Sequence, residues 1–324
     1  MDMAILLTIT IFFTYIAGVV MFKPLLDKLE EEGFVGYDMY KKDKPPVPEM
    51  GGIGIAFSFL VGILFIGTLY EIPYEGYLIV FVLALYFIFG LVDDILGVSG
   101  GENLGYDKFF KVIIPLFFVF PLIHYVDTDI DLCFLGNYEL GLFYSFLLIP
   151  VFVMVCANLV NMFSYYNGQS AATTLIIVVF VVIKLYTVGR YELLYILFPF
   201  IGAVLAFLSY NIQPAGVFPG DSGDMFMGAI IGIAGVVGKL EIFVFIALLP
   251  LTINFLMFAC WFIQEKGDVK VKFGGVREDG TIKPPNPKTL MWMFPYYFKL
   301  TERQTNYIMI ALVFISSLSA WVIC

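Results

Sequence analysis

The residue types best suited to phosphate and metal chemistry fall in four short motifs of a chain that is 60% hydrophobic. They are Lys44-Pro45-Pro46-Val47-Pro48-Glu49-Met50-Gly51-Gly52, Asp93-Asp94, Asn158-Leu159-Val160-Asn161 and Phe218-Pro219-Gly220-Asp221-Ser222-Gly223. Adjacent carboxylates repel, so Asp93-Asp94 either shares a cation or proton or is a solvated pair closing a span. Asn158 and Asn161 lie on one helix face, where amides can ligate Mg2+, grip phosphate or join neighbouring helices. In the fourth motif, glycines permit close backbone approach and free N–H groups favour anions, while Asp221 could equally cap a helix. Mg2+ takes one or two carboxylates and completes its shell with phosphate oxygens, a demand that Asp221 beside Asn161 suits. The prolines of the first motif hold the chain extended, leaving Lys44 and Glu49 as its ligand candidates.

These motifs must be positioned by membrane helices. A mean hydropathy of +0.92, with 14% charged residues, excludes an ordinary soluble domain. A helix needs about 20 apolar residues to cross a bilayer. Ten runs qualify: 3–22, 50–70, 76–92, 109–126, 143–163, 170–187, 193–210, 224–237, 239–261 and 305–323. The eighth is short and Gly-rich, which suits a tilted span or one packed deep inside the bundle. The reading is an all-α polytopic membrane protein, one domain over 1–324, with a long loop at 262–304. The first span is too long for a signal-peptide core and lacks a basic leader, so it is expected to be retained.

With ten spans, the loops 23–49, 93–108, 164–169, 211–223 and 262–304 share one side, and all four motifs fall there. With flanking residues they hold 15 of the 18 Lys and Arg residues. The positive-inside rule makes that side cytoplasmic and puts both termini outside. The net charge of −9 says little about partners because the two faces differ. The basic face suits a phosphorylated ligand or anionic headgroups, and no nucleic-acid-binding motif accompanies it.

Other features carry less. In Ser164-Tyr165-Tyr166-Asn167-Gly168-Gln169 the tyrosines suit either base stacking or interfacial anchoring. Gly274-Gly275-Val276-Arg277-Glu278-Asp279-Gly280 reads as a turn or short hairpin in a loop long enough to be a lid. The four cysteines show no metal spacing and no inferable pairing, and the lone His124 lies near the outer end of the fourth span.

In this order and on this side, the motifs resemble those of the polyprenyl-phosphate N-acetylhexosamine-1-phosphate transferase family, over Lys44 through at least Gly223. The resemblance implies ten spans, a cytoplasmic active site, and Mg2+-dependent transfer of a sugar 1-phosphate from a UDP-sugar to a polyprenyl phosphate with release of UMP. Asp93 and Asp94 match the family's aspartate pair, Asn158 and Asn161 its Asn-x-x-Asn, and Asp221 the Asp of its Gly-Asp-x-Gly. Lys111 resembles a family lysine one turn into the fourth span, and Asn167 falls where the family places an Asn or Asp near the uracil. Ser164-Tyr165 departs from the Asp-Gly or Ala-Gly of many members. The loop 262–304 lacks the histidine linked to the N-acetyl sugar, with Lys270, Lys272 and Arg277 available for phosphate contacts instead.

On that resemblance, Asp221 and Asn161 are expected to hold Mg2+. Asp93 and Asp94 would position or deprotonate the lipid phosphate, and Lys111 would add positive charge. Lys44, Glu49, Asn158 and Asn167 complete the expected substrate contacts. A covalent aspartyl-phosphate route stays open, as do dolichyl against undecaprenyl acceptors and a homodimer. The rival class is a transporter or lipid flippase. Such proteins often carry paired repeats and a midplane site, whereas this chain shows no internal repeat and gathers its motifs at one surface.

Overall fold

The computed structural model describes residues 3–100, 106–267 and 273–324. Lys270 and Lys272 lie outside the described residues. Apolar composition and helix length produce the architecture. α1 (Met3–Glu31), α2 (Gly52–Leu69), α3 (Tyr74–Gly100), α5 (Gly141–Met162), α6 (Gln169–Thr187), α7 (Leu194–Asn211), α8 (Gly220–Val237) and α12 (Glu302–Ile323) are each long and apolar enough to cross a bilayer. α9 (Glu241–Ala247) and α10 (Leu249–Gln264) are an apolar pair joined at a bend of 65°, with Pro250 in the first turn of α10. A proline there costs no hydrogen bond within α10 but prevents α9 from continuing straight through.

The fourth apolar run is α4 (Phe109–Tyr125), shorter than the other spans. It begins as α-helix over Lys108–Ile113 and tightens into 3-10 turns at Ile114–Phe117 and Phe120–Tyr125. Pro115 and Pro121 each lack the N–H that an α-helical turn would use. The ten apolar runs therefore become eight long helices, one bent pair and one short helix. The chain is a multi-pass membrane protein.

Two boundaries differ from the sequence reading. α1 continues beyond residue 22 to Glu31, its polar end carrying ion pairs from Lys28 to Glu31 (3.1 Å) and Glu32 (2.6 Å). α3 runs through Asp93-Asp94 to Gly100, so the acid pair lies inside a helix rather than at its end. Both helices keep their backbone bonded while the side chains turn polar.

α8 is the pillar. Its 18-residue window is 83% buried, the highest share among the spans, and it packs against α2, α3, α5 and α6. In a membrane, small residues govern how closely helices approach. A Cβ on Gly228 would come within 2.5 Å of Ala157 Cα on α5, so the two backbones touch there. The short, Gly-rich eighth run thus becomes the helix packed deepest.

Three short hairpins cap the bundle: β1 (Val35–Tyr37) with β2 (Pro46–Pro48), β3 (Asp129–Asp131) with β4 (Asn137–Glu139), and β5 (Gly275–Val276) with β6 (Ile282–Lys283). α11 (Leu290–Phe298) precedes α12. At the end remote from the acid pair, Lys239 pairs with Asp127 (2.7 Å) and Asp129 (2.6 Å). The Lys239 ammonium holds the Asp129 carboxyl below its ordinary range. Cys133 and Cys324, whose pairing sequence spacing does not reveal, form a disulfide there.

Replacing Gly228 by Val should force α5 and α8 apart and cost about 1–3 kcal/mol. The midpoint of thermal unfolding in detergent should fall, while Gly97→Ala, at a glycine with open space around it, should leave it nearly unchanged.

Candidate active site

The starts of α4 and α8, the end of α5 and the last third of α3 converge at the face opposite the disulfide, and each brings polar groups. Asp107 caps the start of α4 by accepting Phe109 N–H at 2.8 Å. That fixes the first turn and places Lys111 one turn in. The Lys111 ammonium reaches Asp93 Oδ2 on α3 at 2.6 Å and Asp221 Oδ2 on α8 at 2.5 Å. The other oxygen of Asp221 accepts Asn161 Nδ2 from the end of α5 at 2.9 Å. One cation therefore bridges two carboxylates from different helices, and an amide holds the second carboxylate in orientation.

Neighbours in a helix point about 100° apart, so the acid pair divides its work. Asp93 Oδ1 accepts Tyr106 N–H at 2.5 Å, which anchors the chain just before α4. Asp94 turns to the start of α8: Oδ1 accepts Asp221 N–H at 2.7 Å, and Oδ2 accepts Ser222 N–H at 3.0 Å and Ser222 Oγ–H at 2.6 Å. It acts as a helix cap supplied by another helix, satisfying donors that the first turn cannot bond internally. Gly90 allows this approach, since a Cβ there would lie 2.5 Å from Ser222 N.

Asn158 sits one turn before Asn161 and spends its amide donors on Lys111 O (3.2 Å) and Met154 O (3.0 Å). It ties α4 to α5 behind the lysine. Glu49 is half-buried and makes no side-chain hydrogen bond or ion pair among the described residues. Burial, then the charge on Asp221, pushes its carboxyl above the ordinary range. Lys44 is exposed on the turn between β1 and β2. Arg277 bonds within its own hairpin, to Thr281 Oγ1 (3.2 Å) and Ile282 O.

Asn167 belongs to a second ionic cluster. Its Nδ2 donates to Asp38 Oδ2 (2.9 Å), its N–H to Glu302 Oε1 (3.1 Å), and its carbonyl accepts Asn306 Nδ2 (2.8 Å). Lys41 pairs with Asp38 (3.1 Å) and with Glu302, which also accepts Gln213 Nε2 at 2.7 Å. Next to it Tyr40, Tyr165, Tyr166, Phe273 and Trp292 pack ring to ring, with centroids 5.2–5.9 Å apart. Tyr165 and Tyr166 thus form a buried cluster that fastens the long loop, and burial pushes both phenols upward.

Sequence reasoning missed Asp38, Lys41, Asp224 and Glu302. Glu302 follows Thr301 in a capping box with Gln304, so it looks like an ordinary first-turn acid. Asp224 carried a readable signal, being an ionisable residue at the very start of an apolar run.

The hard oxygen donors here are of the kind that Mg2+ would use. Asp93 and Asp221 are hard oxygen donors that converge on one cationic group, with Asn161 beside them. No group of three or more His, Cys, Asp or Glu among the described residues could hold a metal alone, so substrate oxygens would complete the shell, as Mg2+ prefers.

Comparison with known proteins places this geometry in context. Residues 77–239 match the family model described as glycosyl transferase family 4. The chain is 32% identical over 238 residues to the phospho-N-acetylmuramoyl-pentapeptide-transferase of Clostridium botulinum, covering 70% of this chain and 71% of that one. It is 32% identical over 263 residues to a Saccharolobus solfataricus protein provisionally named UDP-N-acetylglucosamine–dolichyl-phosphate N-acetylglucosaminephosphotransferase, covering 79% and 78%. A Sulfolobus acidocaldarius protein of the same provisional name is 30% identical over 275 residues, covering 82% and 80%.

Asp94→Ala should leave the first N–H groups of α8 unpaired and destabilise the fold by about 2 kcal/mol. Asp94→Asn, which keeps one carbonyl acceptor, should lose less. Thermal unfolding of both variants in detergent checks the order.

Proposed function

The chain belongs to glycosyl transferase family 4, and on that footing we propose that it transfers a HexNAc-1-phosphate, GlcNAc-1-phosphate foremost, from a UDP-sugar to a polyprenyl phosphate. The observation that carries this reading is the Lys111 ammonium held between Asp93 and Asp221 at a membrane face. An oxygen of the lipid phosphate attacks the donor's β-phosphorus. The bond from that phosphorus to the bridging oxygen breaks, UMP leaves with the oxygen, and a lipid-linked pyrophosphate remains. The acceptor phosphate is largely ionised near neutral pH, so the protein has mainly to align two polyanions and offset their repulsion.

Lys111 supplies fixed positive charge and Asp93 holds it in place. Asp94 fixes the start of α8 and thereby Asp221. Mg2+, held by Asp221 and Asn161, would neutralise charge developing on UMP. Asn158 braces Lys111 from behind, Glu49 adds a carboxyl near Asp221, and the exposed Lys44 offers a cationic side chain to the phosphates.

The acceptor's tail must remain in hydrocarbon while its phosphate reaches the acids. An open, mostly apolar groove of about 370 Å3 against α10, with Ile253, Leu256, Met257, Cys260 and Trp261 in its lining, is the surface that we assign to that tail. A transporter would place its polar groups near the midplane, whereas these lie at helix ends on one face.

Orientation follows from charge. The basic loops share the side of the acid cluster, which makes that side cytoplasmic and both termini external. The Cys133–Cys324 disulfide on the opposite side agrees with an oxidising exterior.

Purified protein with UDP-GlcNAc, dolichyl or undecaprenyl phosphate and Mg2+ should release UMP. Asp221→Ala or excess EDTA should lower the rate by at least about 100-fold. No UMP from any UDP-HexNAc with either acceptor would overturn the assignment. In intact cells, an impermeant maleimide should label Cys133 and Cys324 only after external reduction, and labelling confined to lysed cells would reverse the orientation.

A further inference from the structure

Asp224 is buried in the bundle with only 4% of its surface exposed. One helical turn beyond Asp221, it faces the hydroxyls of Ser164, in the α5–α6 turn, and Ser170, on α6. No Lys or Arg pairs with it among the described residues, and its Oδ1 has no hydrogen-bond donor. The hydroxyls lie 3.1 Å apart. Thr174 is one turn beyond Ser170, on the same face of α6, and its buried Oγ1 also lacks a partner.

A carboxylate buried in a membrane bundle without a counter-charge is costly. Charge counting sharpens the problem. Asp224 feels the charges of Asp221 and Asp94, and Asp221 is joined through Lys111 to Asp93. With Glu49, which also feels the Asp221 charge, five carboxylates surround one ammonium, more negative charge than a single divalent ion at Asp221 would offset. One carboxylate and two hydroxyl oxygens form a hard donor set of low charge, suited to a singly charged ion.

We infer that Asp224, Ser164 and Ser170 bind one monovalent cation, Na+ or K+, behind the active site. The ion neutralises Asp224 and fastens the α5–α6 turn to α8. This site stands whether or not the transfer reaction does, because its test reads binding rather than turnover.

The test compares thermal unfolding of the wild-type protein in NaCl, KCl and N-methylglucamine chloride at equal ionic strength, without divalent ions. The midpoint should be about 2–5 °C higher in NaCl, KCl or both, as expected for a ligand near ten times its Kd. Asp224→Asn should abolish the difference between salts, and the Ser164→Ala/Ser170→Ala double variant should shift its half-maximum to higher salt. In Tl+-soaked crystals, an anomalous peak should lie against Asp224. Equal midpoints in all three salts would overturn the site and leave a protonated Asp224. A salt response retained by Asp224→Asn, or absence of the Tl+ peak, would also overturn it.

Discussion

The first turn of α8 is the constraint on which the rest depends. It is partly enclosed, it begins with Gly220-Asp221-Ser222, and its N–H groups need acceptors that the helix cannot provide. Asp94 supplies them from α3. With that turn fixed, Asp221 can face both Lys111 and Asn161, and three further helices are tied to one point. The arrangement works because Asp93 and Asp94 are adjacent. A single residue step in a helix sends one carboxylate to the cation and the other to the backbone.

Around this point, packing and polarity support each other. Small residues let α5 press against α8, and that closeness brings Asn161 within hydrogen-bonding distance of Asp221. The α5–α6 turn extends from this centre to the second ionic cluster, where Lys41 joins Asp38 and Glu302 much as Lys111 joins Asp93 and Asp221. The last span is thereby fastened to the loop after α1 and to the turn after α5. At the opposite membrane face the disulfide ties the C-terminus to the loop before β4. The bundle is clamped at both ends, and its middle is held by apolar contact.

Much of this was legible in residue order. Runs of apolar residues announced the helices, because crossing hydrocarbon demands a length that few soluble elements reach. The extended prolines became β2, and the Gly-rich segment at 274–280 contributed to the β5–β6 hairpin. The Gly-rich eighth run became the buried pillar. What went unread were relations between distant residues. Nothing in the spacing of Cys133 and Cys324 pairs them, and nothing near Glu302 points to Asn167. Arg277, attractive as a loop cation, bonds its own hairpin, while Asn158 turns to backbone carbonyls behind the lysine.

By itself the sequence determined a helical membrane protein with acids, amides and glycines gathered at one face, since hydropathy and charge act residue by residue along the chain. Tertiary structure alone decided how those groups divide their tasks. Whether a carboxylate meets an ammonium, caps a helix or lies among hydroxyls depends on which helix lies opposite and how closely it approaches. Asp93, Asp94, Asp221 and Asp224 are the same residue type in similar polar–apolar surroundings. Their four environments arise from α3, α4, α5, α6 and α8 meeting around one partly enclosed turn.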